Sequence, residues 1–383
     1  MHIFFLDLFT DIDAISPIIF KLKKKQKKVA ICSTNFIQDV GNNINIKYLI
    51  SKGVKFYCFP KKNLKYLFFK IIIKFLNIFP KNILKRMRSV FKFCYKNFSL
   101  FDVEEIKYFL NLSKATSVTI DTSNPMVKIK KIYLACKECN IKMIFFPSGA
   151  EILDYKFYNK DNDLKYCDFY LSQNKLEKFK IKNKKNKDKI KFLGSPRFSD
   201  EWLKTIDHSF KSNLNKKKTK KIKIGIFVTP KTENFSIHNK VIEKLKSNKN
   251  LIIKFRNKPR DYMPEKTCDY FHDEFSTSEL IKWSDYIISA QSSVIIECIK
   301  RNKVVFFLNY LVPKNYGSWI KRYNCVDLIK NEHDLINKIN KIVNKKYKFI
   351  FKNKKEYIRK VVGIEKKKDN VLNRYLNFYN NIV

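Results

Sequence analysis

The sequence predicts an α/β protein of two domains, each a parallel sheet covered by helices on both faces. Short apolar runs alternate with helical patterns through most of the 383 residues. Runs such as Val304–Leu308 are apolar at every position, which is typical of a strand buried on both faces. The alternation is interrupted once, over residues 206–221, where apolar residues do not recur at regular spacing. Two such halves describe two Rossmann-like domains that face a cleft.

In the first half, apolar runs predict strands, and apolar residues at every third or fourth position predict helices. The predicted strands are 2–7, 28–32, 54–58, 116–121, 142–146, 166–171 and 190–193. The predicted helices are 14–26, 43–52, 63–78, 84–97, 103–114 and 125–139. Residues 1–205 therefore form the predicted N-terminal domain.

The alternation restarts after 206–221, which we interpret as a linker because Lys and Asn dominate it. The predicted strands are 222–228, 251–256, 286–290 and 304–308. The predicted helices are 236–248, 277–284, 293–301 and 333–344. Residues 222–350 form the predicted C-terminal domain, and the helical pattern of 351–383 predicts a tail able to cross back to the first domain.

Glycine content excludes two large classes of nucleotide-binding protein. The chain has seven glycines, and the two nearest each other, Gly41 and Gly53, stand twelve positions apart. Neither the G-x-G-x-x-G dinucleotide fingerprint nor the G-x-x-x-x-G-K-[ST] phosphate loop can exist at such spacing. P-loop kinases, P-loop ATPases and standard NAD enzymes are therefore excluded.

The chain carries 80 Lys and Arg against 35 Asp and Glu, a formal net charge of +45. Abundant Lys, Asn, Ile and Phe with scarce Gly and Ala are the pattern expected from an AT-rich genome, so part of this charge can be drift on solvated faces. The charge also attracts phosphates, anionic lipid headgroups and nucleic acid, but by itself it does not indicate which of these the protein binds.

Nine scattered cysteines, an odd number, favour a reducing compartment over a disulfide framework. Cys136 and Cys139 have the spacing of half a zinc site, but they lie in a helical pattern with no second pair. The five histidines show no metal-ligand spacing either. We expect no bound metal, and we read no signal peptide before the strand that starts at His2.

The segment 278–298 is the most informative for function. A predicted helix leads into the strand 286–290, and Gln291–Ser293 then opens a new helix. With Ser293 as its N-cap, free N–H groups beside two hydroxyls form an anion site. Glu297, one turn further, is placed to accept hydrogen bonds from a ribose. The alternative is a capped helix that carries an exposed Glu.

The order of residues in this segment resembles the donor half of GT-B glycosyltransferases. The resemblance rests on Ser-Asp-Tyr-Ile-Ile from 284, Ser-Ser-Val-Ile-Ile-Glu from 292, and Asn302-Lys303 before an apolar strand. It is nearest to bacterial enzymes of capsule and lipopolysaccharide synthesis. UDP-N-acetylglucosamine 2-epimerases and polyglycerophosphate transferases are similar at a greater distance.

The resemblance implies a nucleotide-sugar co-substrate and no other cofactor. It implies that Ser292 and Ser293, with Gln291 beside them, contact the donor's phosphates. It also implies that Glu297 contacts the ribose. The strand 251–256 and its basic loop also resemble the family, and they predict diphosphate contacts from Arg256, Lys258 and Arg260. The alternative is that these are three more cations in a basic protein.

A further segment, from Phe192 to Trp202, resembles the family's G-x-P-R sequence. It predicts a tight turn at Gly194 beside the cleft and a phosphate contact from Arg197. One departure concerns Ser148 and Gly149, because many relatives carry His-Gly there, and the role of that His cannot be carried over. The absence of this His leaves open the alternative that the chain is a catalytically inactive relative of these enzymes. No E-x₇-E pair surrounds Glu297, which disfavours the retaining branch that uses one.

An inverting transferase needs a group that takes the acceptor's proton. Asp11 and Asp13 follow the first predicted strand, just before a helix, and are our first candidates, although Asp13 is equally suited to capping that helix. Glu151 and Asp154 are second choices. The segment 121–124 follows another strand and is a candidate lining of the acceptor pocket.

The stretch 61–92 predicts an amphipathic helix with Lys on its polar face and apolar residues on the other. Its lysines exclude a comfortable transmembrane span. Such a helix suits an anionic bilayer surface, and the alternative is a helix packed on its own domain with Lys outward.

The sequence therefore predicts a metal-independent glycosyltransferase with a glycan or lipid-linked acceptor, cytoplasmic and peripheral on the inner face of the membrane. Alternatives on the same fold are a glycerol- or ribitol-phosphate transferase and a sugar-nucleotide epimerase. A basic nucleic-acid-binding protein is the alternative from another class, but no reader motif supports specific nucleic-acid binding.

Overall fold

A computed structural model describes residues 1–6, 9–34, 40–59, 102–122, 124–147, 164–174, 184–209, 219–227, 235–256, 276–290, 292–312, 317–364 and 370–382. The chain forms two compact units. The first comprises Met1–Gly149, Tyr158–Arg197 and Asn370–Val383, and the second comprises Ala150–Phe157 and Phe198–Asp369.

The described strands are β1 (His2–Leu6), β2 (Val29–Ser33), β3 (Lys55–Cys58), β4 (Ser117–Asp121), β5 (Lys142–Phe146), β6 (Phe169–Ser172), β7 (Ile190–Phe192), β8 (Ile222–Phe227), β9 (Leu251–Arg256), β10 (Tyr286–Ser289), β11 (Val304–Leu308) and β12 (Asp327–Ile329). The described α-helices are α1 (Phe9–Lys24), α2 (Ile44–Ser51), α3 (Val103–Leu112), α4 (Met126–Glu138), α5 (Lys184–Lys189), α6 (Asp200–Ser209), α7 (Phe235–Lys246), α8 (Thr277–Trp283), α9 (Val294–Lys300), α10 (Ser318–Arg322), α11 (Glu332–Val343), α12 (Lys354–Lys360) and α13 (Val371–Asn381).

The first unit is built on a parallel sheet in the order β3-β2-β1-β4-β5-β6-β7. Strand β1 lies in the interior of the sheet, where Phe4 pairs with Ile31 on one side and Thr119 on the other. Strands β1, β2 and β4 are buried along their whole length, which explains the nearly unbroken apolar sequences of β1 and β2, whereas β4 alternates apolar with polar residues. Chain order changes direction between β1 and β4, as in the Rossmann arrangement.

The C-terminal helix α13 packs within this first unit, against α1. Its Tyr379 hydroxyl lies 2.7 Å from the Thr119 hydroxyl, and its Tyr375 hydroxyl donates to the carbonyl oxygen of Gly194 at 2.7 Å. Both tyrosines are buried, so the helix closes one face of the sheet.

The second unit is built on a parallel sheet in the order β12-β11-β10-β8-β9. Its core joins apolar residues of α7 and α11 to those of β8, β10 and β11. Helix α8 approaches β8 closely at Gly225, where an added Cβ would lie 2.3 Å from the Ser284 hydroxyl oxygen. The two parallel sheets with interleaved helices confirm the predicted α/β class with two Rossmann-like domains.

Each strand predicted from the sequence is present, and β12 is an additional strand at the sheet edge. Helix α1 begins at Phe9 rather than at 14, because the apolar period extends back through Ile12 and Ile15, both fully buried. Helix α6 occupies 200–209, so the start of the predicted linker is helical, and buried Trp202 anchors it. The predicted helices 63–78 and 84–97 lie outside the described residues.

Candidate functional site

The order of strands marks one edge of the second sheet as the place for a ligand. Strand β10 lies next to β8 although it is not its neighbour in sequence, so chain order reverses between these two strands. In open α/β sheets, ligands bind outside the carboxyl ends of the strands at such a switch point. The predicted donor motif begins directly after β10, on this edge.

The register brings the basic end of β9 to the same edge. Ser289 pairs with Phe227, and Phe227 pairs with Arg256 on its other side. The ends of β9 and β10 therefore lie two strand spacings apart, roughly 10 Å. Arg256 is partly buried, and its Nε donates to the Thr277 hydroxyl at 3.1 Å. Of the other predicted donor contacts, Lys258, Arg260 and Gln291 lie outside the described residues.

The start of α9 differs in one detail from the prediction. Ser293 occupies the N-cap position, but its backbone is already right-handed helical (φ −69°, ψ −12°) and its side chain makes no capping hydrogen bond. The buried Ser292 hydroxyl instead accepts from the backbone N–H of Val294 at 3.3 Å. The prediction that the Ser293 side chain caps this helix is therefore wrong, because a helical ψ at Ser293 turns its side chain away from the N–H groups of the first turn.

Glu297 is buried, which contradicts the alternative of an exposed helical Glu. Its side chain is 6% exposed. Its Oε1 accepts from the Ser278 hydroxyl at 2.6 Å and from Arg301 Nε at 2.8 Å. A buried carboxylate needs such partners, since desolvation would otherwise cost several kcal/mol. The two contacts fix the plane and rotamer of Glu297 beside the start of α9.

In the first unit, two predicted site residues lie together. Arg197 Nη2 lies 3.3 Å from Asp13 Oδ2, and Asn45 Nδ2 donates to Asp13 Oδ1 at 3.2 Å. Asp11 is fully buried, whereas the Asp13 side chain is 39% exposed. Both acids lie inside the first turns of α1, which corrects their predicted position in a loop before a helix.

Gly194 precedes Arg197 in the connection after β7. Its φ of +84° is in the left-handed region that favours glycine, and this fits the predicted turn. Ser148, Gly149, Glu151 and Asp154 lie outside the described residues, as does the stretch 61–92.

Lys128 is a buried lysine at the carboxyl edge of the first sheet that the sequence analysis did not single out. It is 4% exposed, and its Nζ donates to the Thr34 hydroxyl and, at 2.7 Å, to Asn124 Oδ1. Thr34 in turn donates to the carbonyl oxygen of Leu6, the last residue of β1. Lys128 therefore lies over the carboxyl ends of β1 and β4, at the switch point of the first sheet. Its spacing of four from buried Ile132 was the available signal, hidden among many surface lysines.

The part of the chain that the structure describes contains no group of three or more His, Cys, Asp or Glu side chains that could hold a metal ion. Over the same residues, no helix is long and apolar enough to cross a membrane. Metal independence stays a prediction.

Several solved structures share this architecture at low sequence identity. No family model matches the chain, and no curated protein matches its sequence. Among solved structures, MnaA of S. aureus in complex with UDP is similar, with a TM-score of 0.63, 12% identity, and coverage of 100% of this chain and 97% of that one. The UDP-GlcNAc 2-epimerase of Methanocaldococcus jannaschii, in complex with UDP-GlcNAc and UDP, has a TM-score of 0.52 at 12% identity, covering 92% and 96%. The glycotransferase of kitacinnamycin has a TM-score of 0.57 at 7% identity, covering 100% and 98%.

The chain thus has the fold shared by GT-B glycosyltransferases and UDP-GlcNAc 2-epimerases. The distant resemblance that the donor motif predicted is confirmed at the level of architecture.

Proposed function

We propose that this protein is a sugar-nucleotide enzyme, and specifically a glycosyltransferase that moves a sugar from a nucleotide-activated donor to a glycan or lipid-linked acceptor. The observation that carries the proposal is the buried Glu297 in the helix that starts at the switch point of the second sheet. The solved structures that share the fold support it, because two of them were determined with UDP bound.

In this proposal the donor diphosphate meets Ser292, Ser293 and Arg256 at the carboxyl edge of the second sheet, with Lys258, Arg260 and Gln291 as further contacts. Guanidinium groups grip a pyrophosphate through paired hydrogen bonds and neutralise the leaving group without a metal. Glu297 accepts hydrogen bonds from the ribose hydroxyls. No cofactor beyond the nucleotide sugar is required.

The proton of the acceptor hydroxyl needs a base, and Asp13 is our first candidate. Arg197 and Asn45 hold its two oxygens, and its partial exposure leaves it reachable. The acceptor oxygen forms a bond to the anomeric carbon, the bond from that carbon to the diphosphate oxygen breaks, and its electron pair leaves with the nucleoside diphosphate. The proton passes to the carboxylate. Asp11, fully buried, and Glu151 are the further candidates.

The second candidate function is sugar-nucleotide epimerisation. The specific observation in its favour is the similarity to epimerase structures over nearly the whole length of both chains. In either case the charge of +45 supports work beside an anionic surface, and we propose a peripheral place on the inner face of the cell membrane with a surface-glycan acceptor.

Product analysis separates the two functions. The protein is incubated with UDP-GlcNAc and other UDP-, CDP-, GDP- and TDP-sugars, with and without bacterial lipid-linked glycan extract, and the nucleotides are resolved by anion-exchange chromatography. Release of nucleoside diphosphate that depends on the extract supports transfer. A new sugar-nucleotide isomer formed without extract supports epimerisation. If no sugar nucleotide is consumed under any condition, the proposed function is wrong.

A further inference from the structure

We propose that Asp207 is a positioning residue for the donor site: it orients Arg301, and Arg301 holds Glu297 in the geometry that a ribose requires. This inference rests on the proposed function of Glu297 and adds a residue that belongs to no recognised motif of the sequence.

The contacts form a continuous chain through three helices of the second unit. Arg301 Nη1 and Nη2 donate to the two oxygens of Asp207 at 3.0 and 2.9 Å, a paired arrangement from α6. Arg301 Nε, on an adjoining edge of the same guanidinium, donates to Glu297 Oε1 at 2.8 Å. Ser278, in α8, donates to that same oxygen. The planar guanidinium therefore transmits the position of Asp207 to the carboxylate of Glu297.

Burial makes this chain of contacts stiff. The side chains of Arg301 and Asp207 are 16% and 21% exposed, and Lys282 of α8 adds a third cationic contact to Asp207 at 2.8 Å. Burial alone would raise the pKa of Asp207, but hydrogen bonds from Arg301 and Lys282 hold it below its ordinary value. Asp207 therefore stays charged at neutral pH and keeps Arg301 in one orientation.

The geometry matters for the donor because Glu297 lies only one turn from the start of α9. A carboxylate that is free to rotate pays rotamer entropy when it binds a ribose, whereas one held at Oε1 is already oriented. Loss of Asp207 releases the paired end of Arg301, and Glu297 loses an oriented partner while keeping its charge and its Ser278 contact.

A purely structural role for Asp207 predicts something different. In that case its loss lowers the free energy of unfolding and affects nucleotide binding no more than the loss of any similar ion pair. Asp327 provides the matched control, because it is buried to a similar extent in the same unit and pairs with Lys338 at 2.6 Å and with the Tyr347 hydroxyl.

The test is a double-mutant cycle on nucleotide affinity. The dissociation constants of UDP, CDP, GDP and TDP are measured by isothermal titration calorimetry on the full chain, for the wild type, Asp207→Asn, Glu297→Gln, the double variant and Asp327→Asn. Melting temperatures are recorded for each. We expect Asp207→Asn to weaken the preferred nucleotide on the order of tenfold, and to have no further effect once Glu297 is replaced, while Asp327→Asn leaves the affinity unchanged.

Three results overturn the inference. An unchanged affinity in Asp207→Asn, or a loss matched by Asp327→Asn, makes Asp207 structural only. A loss that adds fully to that of Glu297→Gln shows that Asp207 does not act through Glu297. If Asp207→Asn does not fold, Arg301→Lys keeps the charge without the paired geometry and must show the same non-additive loss. If the wild type binds none of the four nucleotides, the proposed function itself is wrong. This result differs from the three above, in which the wild type binds a nucleotide.

Discussion

Arg197 and Asp13 form an ion pair within the first unit, with 3.3 Å between Nη2 and Oδ2. The first residue comes from the connection after β7 and the second from the first helix, so the fold joins two segments that are far apart in sequence. Asn45 completes the arrangement from α2. Two residues selected separately from the sequence therefore lie in contact, and the partial exposure of Asp13, against the full burial of Asp11, makes Asp13 our first candidate base.

Replacing Asp13 by Asn is expected to lower kcat of the proposed sugar transfer about a hundredfold or more, because the amide cannot accept the acceptor's proton. Nucleotide affinity should change little, since the donor contacts are proposed in the second unit. Steady-state kinetics and calorimetry measure the two effects separately. Glu104→Gln, which removes an exposed ion pair with Lys107 in the same unit, is the control. An unchanged kcat in Asp13→Asn would remove Asp13 from the mechanism.

Replacing Lys128 by Met is expected to destabilise the first unit by about 1–3 kcal/mol, because Asn124 loses a buried donor and the amide oxygen stays desolvated. Urea unfolding measures the change. Lys130→Met is the matched control in the same helix, and its exposed side chain should contribute less than about 0.5 kcal/mol. Equal effects of the two variants would show that Lys128 makes no net contribution through its buried contacts.

Much of the fold was predictable because local pattern and tertiary environment agree. Strands such as β1 and β11 are apolar at nearly every position and are buried on both faces, so their sequences report their surroundings directly. The short edge strand β12, with Asp327 inside it, has no such signal. The early start of α1 was missed because Asp11 and Asp13 suggested a loop, whereas Asp11 is buried within the helix.

The candidate site was predictable only in part. Motif residues such as Glu297 carry a family pattern, but the pattern does not reveal which partners hold them. Asp207 and Lys128 contact residues distant in sequence, Arg301 and Thr34, and no sequence pattern reveals these partners. A lysine in a chain with 80 basic residues carries little information by itself.

The close approach of α8 to β8 predicts a strong effect of Gly225→Ala. The new Cβ would lie 2.3 Å from the Ser284 hydroxyl oxygen, so this hydroxyl must move and lose its hydrogen bond to the carbonyl oxygen of Leu280, at an expected cost of about 1–3 kcal/mol. Thermal and urea unfolding measure it. Adding Ser284→Ala removes the clashing oxygen and should recover most of the loss. A double variant no more stable than Gly225→Ala would place the clash elsewhere.

His2 predicts a pH dependence of stability. Burial, with the nearby N-terminal amine and Lys27, lowers the pKa of His2 from 6.5 to about 4. The unfolded chain therefore binds a proton as the pH falls below 6.5 and the folded chain does not until about 4, so the folded state loses stability across that window, by up to about 3 kcal/mol. Stability returns as the pH rises again.

Unfolding free energies at pH 7.5 and 5 measure this dependence. His2→Asn should show a smaller loss on acidification, whereas His333→Asn, at an exposed position, should behave as the wild type. Equal pH dependence in the wild type and His2→Asn would rule out His2 as the source.

The most direct test of a nucleotide-sugar site in the second unit is a thermal-shift comparison of UDP, CDP, GDP, CMP and short oligonucleotides. It is made at low and moderate salt on the wild type, Glu297→Gln and Arg256→Met. We predict a shift for one nucleotide that persists at moderate salt and is lost in both variants. Shifts from every polyanion that fade with salt and ignore Glu297 would show that the basic surface, and not a donor site, binds these ligands.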